Sequence, residues 1–194
     1  MIGRPRTVTD EQVFRAVAEV VTKEGPSGLT FGAVADRVGL TGPALAQRFG
    51  SKRGLLIAFA RAGSVEPVFQ RARDETGDPL AAISVALAAM TSGITTRDAL
   101  ANNLAFLHMD LTDEELGRPT IDQARSIRRH LAALVEEAIS DGLILDVDAG
   151  ELAETIYTIY NGALISWAID GRGKLSTWLT RRIERVVAPY LVNP

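Results

Sequence analysis

The 194-residue chain contains no cysteine, only two histidines, and aromatic residues at 6% of positions. Without cysteine there is no disulfide framework, no thiol nucleophile and no thiolate ligand for a metal. His108 and His130 are too far apart for metal-ligand spacings such as His-x-x-x-His. A Gly-x-Ser-x-Gly nucleophile elbow is missing, and so is a glycine-rich phosphate loop. The adjacent carboxylates Glu114-Glu115 and Glu136-Glu137 would point about 100° apart around a helix, so neither pair can flank a substrate. Catalysis therefore finds little support, and no cofactor or metal is called for. No stretch of about eighteen apolar residues is present to span a bilayer, and the opening residues lack the apolar core of a signal peptide. The chain reads as cytoplasmic.

What is present is unevenly distributed. The formal net charge is −3. Residues 1–60 carry eight Lys+Arg against five Asp+Glu, net +3, which leaves thirteen against nineteen, net −6, for the remainder. A basic head on an acidic body concentrates affinity for polyanions at one end and limits it elsewhere.

Within the head, Leu29 to Phe59 places two short helical patterns around a tight Gly39-Leu40 corner, followed by a break at Gly50 and a third helix. Thr30 is positioned to cap a helix from about Phe31, with Leu29 reaching Val34 as a hydrophobic staple. Gly39 can end it in a left-handed conformation, Thr41 can cap the next helix, and Leu40 can staple onto Leu45. Pro43 falls in the first turn, where it is tolerated. Ser51 is placed to cap the third helix. At about 100° per residue, Leu45 and Phe49 share an inward face while Pro43, Ala44 and Gln47 point away. This is the layout of a helix-turn-helix that reads DNA. The candidate contacts are Thr30, Thr41, Gly42, Pro43, Ala44, Gln47, Arg48 and Lys52. Gln47 is suited to base edges, adenine being its usual bidentate partner, and Arg48 to a flanking phosphate.

This segment resembles the DNA-binding domain of TetR-type transcriptional regulators, whose recognition helix ends in aromatic-x-His-Phe and is followed by Ser-Lys and a leucine pair. Phe49, Ser51, Lys52, Leu55 and Leu56 match, over roughly the first sixty residues. Ala46 stands where the family usually has Tyr, and Arg48 where it usually has His. Those usual residues touch the DNA backbone in relatives, so the phosphate contacts here must be redistributed toward Arg48 and Lys52. The resemblance implies an all-α protein: a three-helix helix-turn-helix domain, residues 1–50, joined to a helical effector-binding and dimerisation domain, residues 51–194.

Ahead of the motif, Arg4 and Arg6 sit on a proline-stiffened arm suited to a narrow minor groove. Thr9 and Gln12 form a capping box for a first helix carrying Val13, Val17, Val20 and Val21, which ends before Gly25-Pro26. Further on, Pro67 marks a kink or restart, and Asp78-Pro79 opens an alanine-rich helix to about Thr91. Its alanines allow either close neighbours or open space. The next helix carries Leu100, Leu104, Leu107 and Leu111. Thr112 with Glu115 reads as a capping box, Gly117 and Pro119 as a break, and Thr120 with Gln123 as the start of a long helix to Asp141-Gly142.

The last two patterned segments, about 148–170 and 174–191, point to assembly. The first is apolar nearly all the way round, from Ile156 to Ile169, and a helix of that kind is buried on two sides. A symmetric partner supplies the second side, with Leu175, Trp178, Leu179, Val186 and Tyr190 of the final helix contributing. A homodimer can set two reading heads about 34–36 Å apart, one turn of the duplex, on a near-palindromic operator. Family resemblance implies the same arrangement, with middle helices around a small-molecule effector whose occupancy releases the operator. Candidate lining residues are Met90, Phe106, His108, Met109, Tyr157, Asn161 and Trp167, and Arg97 and Arg128 could pair an acidic effector. Plain core packing is the blander reading of each Met and aromatic residue. The expectation is a ligand-responsive DNA-binding regulator, most often a repressor among relatives. The alternative is a small-molecule-binding helical protein without operator-specific DNA binding.

Overall fold

The computed structural model describes residues 8–192. Ten α-helices occur among the described residues, and the chain divides into two compact units. The first unit holds α1 (Asp10–Gly28), α2 (Phe31–Val38), α3 (Gly42–Phe49), α4 (Lys52–Ala62), α7 (Arg97–Thr112) and the opening of α8 (Glu114–Ser140). The second holds α5 (Glu66–Thr76), α6 (Pro79–Ala89), the rest of α8 from Thr120, α9 (Ala149–Asp170) and α10 (Leu175–Val187), which a 3-10 turn over Ala188–Tyr190 follows.

Local chemistry sets the boundaries of the first unit. Both halves of the expected capping box form: the Gln12 amide donates to Thr9 Oγ1 at 3.3 Å, and the Thr9 amide donates to Gln12 Oε1 at 3.0 Å. The regular course of α1 breaks at Gly25, φ 72° and ψ 177°, and one further turn follows Pro26. Its inward valines Val13, Val17 and Val20 are fully enclosed and share a core with Leu29, Val34, Leu45, Leu55, Leu56 and Leu116. Each such aliphatic side chain stabilises the fold by about 1.5–3 kcal/mol through burial.

That core extends beyond the expected domain edge at residue 50. Leu55 and Leu56 on α4 are buried in the same cluster as α1 to α3, and the first unit runs to Gly63 and resumes over Asp98–Pro119. Two amides fix α7 to α1: Asn102 Nδ2 donates to the Thr22 carbonyl at 3.1 Å, and Asn103 Nδ2 to Thr22 Oγ1 at 3.3 Å.

Two sequence expectations are corrected around α8. Thr112 is not its cap, because its hydroxyl turns back to donate to the His108 carbonyl at 2.9 Å. Asp113 takes that role, accepting from the amides of Glu115 at 3.0 Å and Leu116 at 3.3 Å. Nor do Gly117 and Pro119 end a helix: α8 runs unbroken over 27 residues with Pro119 inside. As the sixth residue of α8, Pro119 leaves the Glu115 carbonyl without its helical amide donor, a local loss that the helix runs through. Pro67 produces a restart, lying in the first turn of α5 after α4 stops at Ala62.

In the second unit α10 packs against both α6 and α9, and α6 against α5. Ile83, Leu87, Leu131, Ile156, Leu179 and Ile183 are its enclosed core side chains. Arg73 clasps Glu137 through Nε at 3.0 and 3.1 Å and Nη2 at 2.6 Å. Phe69 stacks on His130 with ring centroids 5.1 Å apart. The alanines of α6 do both things that their sequence allowed. Ala82 and Ala86 are fully buried where neighbours approach, while Ala81 and Ala88 border an open cleft. Among the described residues no helix is long and apolar enough to cross a membrane.

Candidate nucleic-acid interface

α2 and α3 are each eight residues long and would be marginal alone, so capping and packing have to hold them. Thr30 Oγ1 accepts from the Ala33 amide at 3.0 Å, and Thr41 Oγ1 from the Ala44 amide at 3.3 Å. Gly39 adopts φ 71°, ψ 30°, a left-handed cap that a side chain would strain. The Leu40 amide then closes onto the Ala35 carbonyl at 3.0 Å, which turns the chain directly into α3. Only Leu45 of α3 is fully enclosed, with Phe49 half-buried beside it. Phe49 meets Phe14 of α1 with centroids 6.0 Å apart.

The opposite face is free of packing. Thr41, Pro43, Ala44 and Gln47 are exposed on it, Gly42 is half-buried, and Thr30 is exposed at the head of α2. Short side chains beside one long amide let a helix approach base edges closely while Gln47 reaches them.

Two cations at the edges of this face are already engaged. Arg48 Nη1 donates to the Val8 carbonyl at 2.9 Å, and its Nη2 lies 2.5 Å from Asp10 Oδ1. Its guanidinium also sits 5.5 Å from the Phe49 ring centre. Arg48 is thereby a tether from the end of α3 to the start of α1. Lys52 Nζ donates to the Pro26 carbonyl at 2.7 Å, just past the break in α1. An ammonium has three donors, so this bond fixes the side chain without exhausting it. Arg4 and Arg6 lie outside the described residues.

Residues 14–59 match the family model of bacterial regulatory proteins of the tetR family. Those residues form a helix-turn-helix DNA-binding domain of the tetR type. Over its length the chain is similar in fold to a TetR transcription regulator from Haloarcula marismortui, with a TM-score of 0.74 at 20% identity, covering 94% of this chain and 98% of that one. A TetR-family regulator from Cytophaga hutchinsonii gives 0.73 at 16% identity, covering 97% and 100%. A protein of Saccharomonospora viridis described as a transcriptional regulator, in complex with choline, gives 0.73 at 16%, covering 95% and 98%. No curated protein matches the chain.

Two features of the helix-turn-helix unit leave little mark in the sequence. At Gly54, whose amide donates to Ser51 Oγ at 3.0 Å, an added Cβ would overlap the Phe49 carbonyl oxygen. The short passage from α3 to α4 thus requires glycine there, and its place three residues after a capping serine was the available cue. Arg53 forms a bidentate pair with Asp113 and also reaches Glu115 Oε2 at 2.9 Å. The Arg53 hydrogen bond is the main cause holding the Asp113 carboxyl down at about 2, against the opposing effect of desolvation. Partners sixty residues apart leave no local signal.

The effector candidates fall into two groups. Phe106, His108 and Met109 belong to the first unit and the other four to the second. Phe106 and Met109 pack on the first unit's core, and Phe106 meets Phe59 edge-on at 6.2 Å, whereas His108 is exposed. In the second unit Trp167 is buried with Nε1 donating to the Gly173 carbonyl at 3.2 Å, and Met90 is half-buried at the end of α6. Asn161 Nδ2 donates to the Tyr157 carbonyl at 2.9 Å, and Arg128 lies 5.5 Å from the Tyr157 ring centre.

Proposed function

We propose that this chain is a TetR-family regulator, a ligand-responsive repressor in the cytoplasm that binds a near-palindromic operator as a homodimer through the outer face of α3. The observation that carries the reading is the contrast within α3: Leu45 is fully enclosed while Thr41, Pro43, Ala44 and Gln47 stand exposed together on a helix stopped at both ends. In this reading Gln47 reads a base pair, Thr30 and Thr41 contact the backbone beside it, and Gly42 and Pro43 let the helix start approach the duplex. Lys52 neutralises a phosphate, and Arg48 either exchanges Asp10 for a phosphate or holds α3 for its neighbours. Arg4 and Arg6 supply a minor-groove contact.

The dimer is supported by what α9 leaves uncovered. Ile165 is 50% exposed and Ile169 72%, and Gly162 between turns of the same stripe has open space where a side chain would stand. The expected contribution from α10 is smaller. Leu175 and Leu179 are buried within the unit, and Trp178 Nε1 is bonded to the Ala163 carbonyl at 3.1 Å.

Ligand response is the extension supported by the choline complex of the Saccharomonospora relative. The four second-unit candidates Met90, Tyr157, Asn161 and Trp167 are its proposed sensors, and Phe106, His108 and Met109 are a separate candidate group within the first unit.

A gel-shift series over operator variants and salt tests the DNA half. Gln47→Ala is expected to lower discrimination at one base pair by about 1–3 kcal/mol, whereas Lys52→Ala weakens all sequences alike and reduces the salt slope by about one. Equal losses from both on every sequence would remove Gln47 from base reading.

A further inference from the structure

Between α6 and α10 the second unit carries a cleft of about 560 Å³ that none of the seven effector candidates lines. We infer that this cleft binds a single-chain amphiphile with a cationic head, of the alkylammonium class, its tail lying between the two helices and its head at Asp78 and Glu184.

The cleft exists because α6 presents small side chains where α10 passes. Ala81, Ser84 and Ala88 form one wall, and Ile183 and Val187 the floor. On α6 these three positions follow helical spacing, so one continuous strip of the helix is left low. The surface of the cleft is mostly carbon, and its volume lies within the range of about 300–1,000 Å³ typical of small-molecule sites. Val85 at 39% and Leu191 at 46% exposure add apolar area that water now covers.

Charge selects the head group. The wall contains two carboxylates, Asp78 and Glu184, and no Lys or Arg. Arg73, which acts electrostatically on Asp78, has its guanidinium clasped on Glu137. Arg181 and Arg185 share α10 with Glu184 but are not part of the wall. An anionic amphiphile such as a fatty acid would set its carboxylate against like charge, and a neutral one would gain no attraction from either carboxylate. A cation at the rim with a hydrocarbon tail in the groove satisfies both surfaces. Ser84 and Thr180 hydroxyls offer acceptors for an ammonium that still carries protons.

The inference stands apart from operator reading, because binding is measured without DNA. Equilibrium dialysis of the full chain against decyltrimethylammonium, decyl sulfate and decyl maltoside, all below their micelle concentrations, is the direct test. The expected result is saturable binding of the cation, weaker binding of the neutral chain and none of the sulfate. Asp78→Asn with Glu184→Gln keeps a helix-capping side chain at 78 and is expected to reduce cation binding by about fivefold to tenfold, to the level of the neutral chain. Ala81→Phe, at an exposed position where folding is undisturbed, is expected to abolish binding of every chain. Equal binding of cation and sulfate would overturn the inference, as would binding untouched by Ala81→Phe. A change in sedimenting mass on Val85→Arg would also overturn it, because the cleft would then be covered by a second copy.

Discussion

α3 and α9 sit at opposite extremes of helix economy. α3 has eight residues, one of them fully enclosed, and is held by a threonine cap, a glycine stop and a tether from Arg48. α9 has 22 residues, buries Leu152, Ala153, Ile156, Tyr160, Ala163 and Trp167, and still leaves Ile165 and Ile169 in solvent. The short helix is specified by its ends and the long one by its faces. A helix specified by its ends can offer a bare side to another molecule without losing its own position. One specified by its faces offers a side only when that side is left over.

The sharpest way to break this comparison is to remove the single anchor of α3. Leu45→Ala is expected to destabilise the first unit by about 2–5 kcal/mol in chemical denaturation, with DNA binding lost as a consequence. Stability unchanged within error would mean that the caps alone hold the helix. Next in size is the uncovered stripe of α9. Ile165→Asp with Ile169→Asp is expected to leave circular dichroism intact while weakening self-association by about 2 kcal/mol or more in sedimentation equilibrium. A monomeric parent, or a variant that associates as well as the parent, would remove this stripe from the interface. Thr41→Ala is expected to cost about 1 kcal/mol of stability as the Ala44 amide loses its acceptor, and Thr41→Ser to restore it.

The smallest effect concerns acid. Asp113 titrates at about 2 in the fold against an ordinary value of 3.8. A depressed carboxyl contributes stability that is complete above the unfolded value and is lost as pH falls from near 4 to near 2. Asp113→Asn should therefore flatten the stability profile over that interval and leave its shape unchanged at neutral pH. A profile identical to the parent between pH 4 and 2 would show that Arg53 gives Asp113 no net protection.

How much of this was legible beforehand follows the same division. Thr9, Thr30, Thr41, Ser51 and Asp78 all cap helices where their sequence positions suggested, because a cap is a contact over about three residues. The exposed face of α3 was legible for the same reason, being set by helical period and one turn. Thr112 misled because Asp113, one residue on, competes for the same amides with a charged and stronger acceptor. Pro119 misled because an interior proline removes one helical bond without always ending the helix, and sequence alone does not show which outcome holds. The partners of Arg48, Arg53 and Lys52 were invisible, since Val8, Asp113 and Pro26 lie 40, 60 and 26 positions away. The effector candidates were chosen by residue type alone. Side-chain chemistry carries no information about which helices face each other, and the seven divide between two units.

The tether of Arg48 to Asp10 changes what a salt titration would count. Arg37 is likewise bound to Glu24 at 2.6 Å, and Arg53 to Asp113 and Glu115. A guanidinium already facing a carboxylate displaces a small ion from the duplex only by abandoning its own partner, so the exchange nets less than a free cation would. DNA binding through this head should consequently feel ionic strength more gently than the tally of its basic residues suggests, and persist over a wider range of potassium.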